Sequence, residues 1–251
     1  MISIISPAKS QDFLLPIIDI PPTQPYFIDE TRHLVQICQK LSQNQIKQLM
    51  HVSDKIAELT YNRFQDFDNQ ISKQAIFAYN GDVYISIAKQ DFSQEQINFL
   101  QNHLLIISGL YGVLRPLDLI KDYRLEMSVT LPNAGKLSNF WQDYITNHIN
   151  QMLATHSYKY LINLASNEYA STVNQHNLHY PIINIHFKEA RNNILQVIGI
   201  NAKKARGSMI NYIATNLIDN PEKLKDFTEL NYKYNASKSS NKDWVFIRLP
   251  A

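Results

Sequence analysis

Four short segments hold most of the side chains in this chain that could do chemistry. They are built from cations, hydroxyls and carboxylates rather than from metal ligands. In 201–208, Asn201 precedes Lys203, Lys204 and Arg206, with Gly207 behind them. Asn201 reads as a helix N-cap, which places the three cations in the first two helical turns. The helix dipole already carries partial positive charge there, so each exposed cation costs about 0.3–1 kcal/mol. An anion docked at that terminus would offset the cost, because free backbone N–H groups and lysines converge on the same oxygens. A solvated charged face is the competing explanation. Gly207 weakens the helix by about 1 kcal/mol relative to alanine, which points to something approaching closely at that position.

The segment 108–127 is the densest. Gly109 and Gly112 are followed by Arg115, Lys121 and Arg124, with Tyr111 and Tyr123 interleaved. Cations neutralise phosphates and aromatic faces stack on unpaired bases, so this composition suits nucleic acid. Asp118, Asp122 and Glu126 dilute that reading. In an extended segment Arg124 and Glu126 share a face, so an internal ion pair explains them equally well.

Ser166, Asn167 and Glu168 follow a strand read at 160–164, the place where α/β proteins set ligand groups. Glu168 suits a general base or a base-edge acceptor, while a capping Ser166 with Glu168 in the first helical turn accounts for the same residues. Lys9 lies just past the first strand, as a phosphate partner, an amine nucleophile or a plain surface lysine. Lys9, Glu126 and Glu168 are therefore weak catalytic candidates, and no catalytic residue is assigned. The eight histidines show no metal-ligand spacing, and His176 with His179 is the only close pair. No phosphate-binding loop or dinucleotide fingerprint occurs. No metal and no cofactor are expected.

The elements that would position these residues alternate between apolar runs and helical periodicity, which predicts a mixed α/β fold. Strands are expected at 1–6, 104–107, 123–131, 160–164, 182–187, 194–200 and 244–249. A hairpin is expected at 74–79 and 82–87 around Asn80-Gly81. Helices are expected at 29–40, 43–51, 54–64, 93–103, 138–154 and 202–217, with Ser42 and Ser53 as caps and Ser93 with Gln96 as a capping box. On the last helix Ala205, Met209, Tyr212, Ile213 and Leu217 share a face. The connections 16–25 and 236–242 are too short to separate domains, so one domain over 1–251 is expected.

At 251 residues, 45% hydrophobic and 18% charged, the chain can bury a sizeable core. No stretch is long and apolar enough to cross a bilayer or serve as a signal peptide, which predicts a cytoplasmic protein. A net charge of +2 neither demands nor excludes a polyanionic partner, so any nucleic-acid site must come from local clustering. Cys38, the single cysteine, shares a helical face with Leu34, Ile37 and Leu41 and reads as a buried structural thiol rather than a peroxidatic one.

Taken in order, 4–9, 53–55, 81–84, 108–127, 163–169 and 202–207, with Phe140-Trp141 and 246–248, resemble the peroxide-stress YaaA family across essentially the whole chain. The resemblance implies a bacterial cytoplasmic protein that protects cells from hydrogen peroxide by limiting free iron and Fenton damage to DNA. It also implies a family-specific mixed α/β fold with a basic cleft, a helix-hairpin-helix element and binding to duplex or distorted DNA. The hairpin would fall at Gly109 and Gly112. On that expectation Lys9, Arg115, Lys121, Arg124, Lys203, Lys204 and Arg206 bind DNA from one cleft, with Gly109, Gly112 and Gly207 shaping the backbone. The alternative is an enzyme acting on a nucleobase, nucleoside or damaged DNA in a Lys/Arg/Glu-lined pocket. A monomer is favoured, and no membrane partner is expected.

Overall fold

A computed structural model of the chain describes residues 1–14, 20–191 and 194–248. The apolar run Ile2–Ile5 (β1) is buried throughout, as expected of a strand with parallel neighbours on both edges. Leu104–Ser108 (β2) is equally buried, and Gly112–Leu114 (β3) folds back on it. Leu161–Asn163 (β4), Ile182–Arg191 (β5), Ile194–Gln196 (β6), Tyr232–Tyr234 (β7) and Asp243–Arg248 (β8) complete the sheet.

The eight strands form one mixed sheet in the order β7-β8-β5-β4-β1-β2-β3, with β6 paired to the end of β5. Strands β2, β1, β4, β5 and β8 run mutually parallel, while β3, β6 and β7 are antiparallel to their neighbours. Ile2 stands opposite Leu161 on one edge of β1, and Ser3 opposite Leu104 on the other. The chain leaves β1 for β2 on one side and later leaves β4 for β5 on the opposite side. The loops at the carboxyl ends of β1 and β4 therefore part in opposite directions, which is a topological switch point.

Helices surround the sheet: Ile28–Gln39 (α1), Gln43–Met50 (α2), Asp54–Gln65 (α3), Gln94–His103 (α4), Gln142–Ala154 (α5) and Gly199–Thr215 (α6). Capping boxes open α2 at Ser42 with Gln45 and α4 at Ser93 with Gln96. Ser53 occupies the cap position of α3 without a side-chain hydrogen bond. The buried faces merge with the sheet into one apolar cluster, which takes in Cys38 of α1 and Ala205, Met209 and Ile213 of α6.

Several expectations are corrected. No hairpin forms around Asn80-Gly81, because 75–78 and 82–85 each close a helical turn, and Tyr79–Asn80 pairs with Ser10–Gln11 instead. The stretch 123–131 keeps the alternation, with Tyr123, Leu125, Met127, Val129 and Leu131 buried, but only Thr130–Leu131 pair as strand, with Gly135–Lys136. The strand expected at 194–200 ends at Gln196, since α6 starts at Gly199. Asn201 is thus inside the helix, where its amide donates to Glu189 at 2.7 Å rather than capping. Leu217 takes a left-handed conformation beyond the end of α6. Part of the 16–25 connection, and Leu249 of the last expected strand, lie outside the described residues.

The glycines report packing. Gly112 has φ of +68° and sits under the Trp141 ring, whose Nε1 donates to the Gly109 carbonyl at 2.9 Å. Both belong to the β2–β3 hairpin, so the helix-hairpin-helix position expected there is corrected.

Candidate functional site

The switch point is built by two loops tied to each other. Leu164 N–H donates to the Ile4 carbonyl at 2.9 Å, and Ser166 N–H donates to Ser6 Oγ at 2.8 Å. The Ser6 hydroxyl in turn donates to Ser166 Oγ at 3.2 Å. Tyr84 reaches over from the helical turn Asp82–Ile85 and donates its hydroxyl to the Ser6 carbonyl at 2.9 Å. These bonds hold the carboxyl ends of β1 and β4 beside α6, which closes the third wall. The hollow between them measures about 360 Å³ and is lined by Lys9, Asp82, Ser166, Glu168, Lys203 and Arg206 among others. A second hollow of about 460 Å³ shares Lys9 and Glu168 and adds Glu126, Ser128 and the Met50-His51 turn after α2. The two lobes form one crevice.

Its electrostatics are divided. At one end Glu126 Oε1 lies 2.9 Å from Arg124 Nη2 and 3.5 Å from Lys9 Nζ, while its other carboxylate oxygen is buried without a partner. Glu168 Oε1 accepts from the Ser128 N–H at 3.1 Å. At the other end Lys203 Nζ stands 3.8 Å from Asp82, a loose exposed pair. Arg206 has no such compensation. Its Nε is buried with no acceptor, and no described residue pairs with the guanidinium. Burial lowers its pKa from the ordinary arginine value, yet the group stays charged. Partial burial of an unpaired cation is a cost that an anion entering the hollow offsets.

Beneath the crevice the Tyr123 hydroxyl is 2.6 Å from that of Tyr79 and 2.7 Å from Ser108 Oγ. Burial pushes Tyr123 up to about 12 and raises Tyr79 and Tyr84 well above the ordinary tyrosine value. All three are neutral hydrogen-bonding groups at physiological pH, supporting the loops rather than acting as bases.

The structure gathers Lys9, Glu126, Glu168, Lys203 and Arg206 into this crevice. Arg124 meets it only through Glu126, the internal pair weighed from the sequence, and Lys204 projects to solvent from α6. Arg115 and Lys121 are elsewhere, which corrects their expected place in the same cleft. Arg115 is held by Asp118 at 2.9 Å and by the Gln24 carbonyl at 3.3 Å. Lys121 Nζ donates to the Phe67 and Asp68 carbonyls at 2.8 and 2.9 Å. The earlier helix start also moves Lys203, Lys204 and Arg206 to the second and third turns of α6, where the dipole contributes little. Lys203 and Arg206 therefore stand on the crevice wall rather than at the helix end. Gly207 faces the carbonyl of Val83, so the close approach expected there comes from the chain itself.

Sequence reasoning missed Asp82 and the His51 turn, and of the segment 6–10 it weighed only Lys9 for chemistry. Asp82 followed a glycine and was absorbed into a hairpin motif; Ser6 carried the signal of a strand's carboxyl end, and nothing in the sequence signals the His51 turn. It also missed a group at the opposite end of β1. There His103, His156 and Asp219 bring donor atoms within 4.8 Å of one another around the Met1 amino group, which is ion-paired to Asp219.

A five-stranded parallel core with a divided, charged crevice at its switch point makes this an α/β protein whose candidate site lies where open sheets leave a crevice. Residues 1–238 match the family described as peroxide stress protein YaaA, and the chain belongs to that family. It is 54% identical over 248 residues to a UPF0246 protein of Rickettsia bellii (strain OSU 85-389), covering 99% of this chain and 100% of that one. A UPF0246 protein of Rickettsia rickettsii (strain Iowa) is 52% identical over 250 residues, and one of Rickettsia felis 51% over 248, with the same coverage. The family expected from the motifs is the family found. Among the described residues no helix is long and apolar enough to cross a membrane.

Proposed function

We propose that this peroxide stress protein binds DNA and limits iron-dependent oxidative damage to it, with phosphates entering the switch-point crevice. One observation carries the reading: the uncompensated Arg206 guanidinium, flanked by exposed Lys203 and Lys9 in a hollow open to solvent. A half-buried guanidinium whose Nε has no acceptor is what a phosphate oxygen completes. The helix pair α2–α3 adds to it. Its three-residue turn begins at His51, in the left-handed region, and Met50 and His51 line the second lobe. Such a turn is the natural place for the helix-hairpin-helix element that the family resemblance implies.

The test is fluorescence anisotropy on intact and bulged duplexes at two salt concentrations. Affinity should fall steeply with salt, by a slope near 0.9 per phosphate contacted. Lys203→Ala together with Arg206→Ala should weaken binding at least about tenfold, the loss of roughly 1.4 kcal/mol. Binding indifferent to salt, or unchanged in the double variant, refutes the reading.

A second reading, an enzyme acting on a nucleobase, nucleoside or damaged strand, is favoured by a separate observation. Glu126 and Glu168 line one lobe together with Lys9, whose amine is 3.5 Å from Glu126, which gives acid–base groups a place beside the proposed anion site. Turnover abolished by Glu168→Gln with DNA affinity intact would establish it.

A further inference from the structure

The two ends of the crevice carry opposite charge, and this limits what fits there. Arg206 and Lys203 stand at one end, with Asp82 paired only to Lys203, and Glu126 stands at the other, while Lys9 and Glu168 belong to both lobes. A bare phosphate would leave the carboxylate lobe unused, with one Glu126 oxygen buried and unpaired. A duplex backbone would place repeated anions against both glutamates, which costs repulsion and desolvation. A ligand with an anionic head and a hydrogen-bond-donating tail meets both ends at once.

We propose that the crevice holds one nucleotide, extrahelical when it comes from a strand, with its phosphate at Arg206 and Lys203. The amine edge of its base then faces Glu126 and Glu168. The inference rests on the phosphate site of the proposed function and adds the ligand's class and direction. Size agrees: lobes of about 360 and 460 Å³ fall within the range of small-molecule sites and are far too small for a duplex. The walls offer one donor to phosphate oxygens beyond the two cations, the Ser166 hydroxyl, which accepts from Ser6 and keeps its own proton for a ligand. Glu126 is ion-paired with Arg124 and Lys9 through a single oxygen and its other oxygen has no partner, so the carboxylate retains acceptor capacity for an exocyclic amine. Adenine, cytosine and guanine carry that amine and thymine does not. The site therefore discriminates by base as well as by phosphate.

Calorimetric titration of the full chain with 5′-dAMP, 5′-dCMP, 5′-dGMP, 5′-dTMP, deoxyadenosine and inorganic phosphate tests this directly. The three amine-bearing monophosphates should bind, with deoxyadenosine, dTMP and phosphate each weaker by roughly tenfold or more. Arg206→Gln should erase the advantage of dAMP over deoxyadenosine, and Glu126→Gln the advantage of dAMP over dTMP. Lys203→Ala, at an exposed position, gives a smaller loss of phosphate preference and covers the case in which Arg206→Gln folds poorly. A duplex carrying 2-aminopurine opposite a mismatch should brighten on binding as the base leaves the stack. Duplex binding without any mononucleotide binding below about 1 mM overturns the inference and leaves DNA binding standing. Mononucleotide binding without duplex binding does the reverse. Equal affinity for dAMP and dTMP removes the assigned direction.

Discussion

Gly207→Ala tests whether the crevice wall is built as described. A Cβ at that position would stand 2.9 Å from both the Val83 carbonyl carbon and Ser86 Cβ, with the Val83 oxygen closer still. Carbon atoms in contact prefer about 3.5–4.0 Å, so α6 and the turn Asp82–Ile85 must separate by roughly 1 Å. Neither obstacle is the end of a flexible side chain. Overpacking of this kind costs about 1–3 kcal/mol, and backbone on one side places it at the upper end. Alanine returns about 1 kcal/mol of helix propensity, so the net loss should be about 2 kcal/mol. For a chain of this length that lowers the melting temperature by about 4–8 °C. Denaturant and thermal melts read it out, with Gly199→Ala as the control. Nothing lies within 4 Å of that Cβ, so the control should be neutral or slightly stabilising. Because Asp82 and Val83 also line the crevice, Gly207→Ala should weaken nucleotide and DNA binding as well. A Gly207→Ala protein as stable as the parent, or more so, refutes the close approach and the wall built on it.

Acid should destabilise the fold through two buried imidazoles. Burial pushes His103 and His148 down to about 4, and both His148 nitrogens lack a hydrogen-bond partner beside the Tyr26 and Phe27 rings. The unfolded chain protonates these groups near 6.5 while the folded chain keeps them neutral, so stability falls as pH drops from 6.5 toward 4. Each contributes a slope of about 1.4 kcal/mol per pH unit in that window. His148→Phe should remove one proton's worth of slope in denaturant titrations, and an unchanged slope would count against the assignment. Cys38 makes the third prediction. Burial raises its thiol to about 12, so iodoacetamide should label it only on unfolding, and rapid labelling of the native protein would contradict its burial.

Local chemistry made much of this protein legible in one dimension. The capping boxes at Ser42 and Ser93 mark α2 and α4, because a cap acts within four residues and needs no partner from elsewhere. The buried runs at β1, β2 and β4 and the helical face around Cys38 are readable for the same reason: their period is set by their own backbone. The sequence also marks Lys9, Glu126, Glu168, Lys203 and Arg206 as reactive types. It does not say that they meet. That depends on strand order, since β1 and β4 are adjacent only in the sheet and α6 reaches them only by packing over the turn Asp82–Ile85. Tertiary contacts took Lys121 out of the crevice by supplying the Phe67 and Asp68 carbonyls, whereas Arg115 is held by its near neighbour Asp118 and the distant Gln24 carbonyl. They left Arg206 with none. Residue types and local caps are encoded along the chain, whereas which charge is neutralised and which is left to a ligand is fixed by neighbours that only the folded sheet brings within hydrogen-bond range.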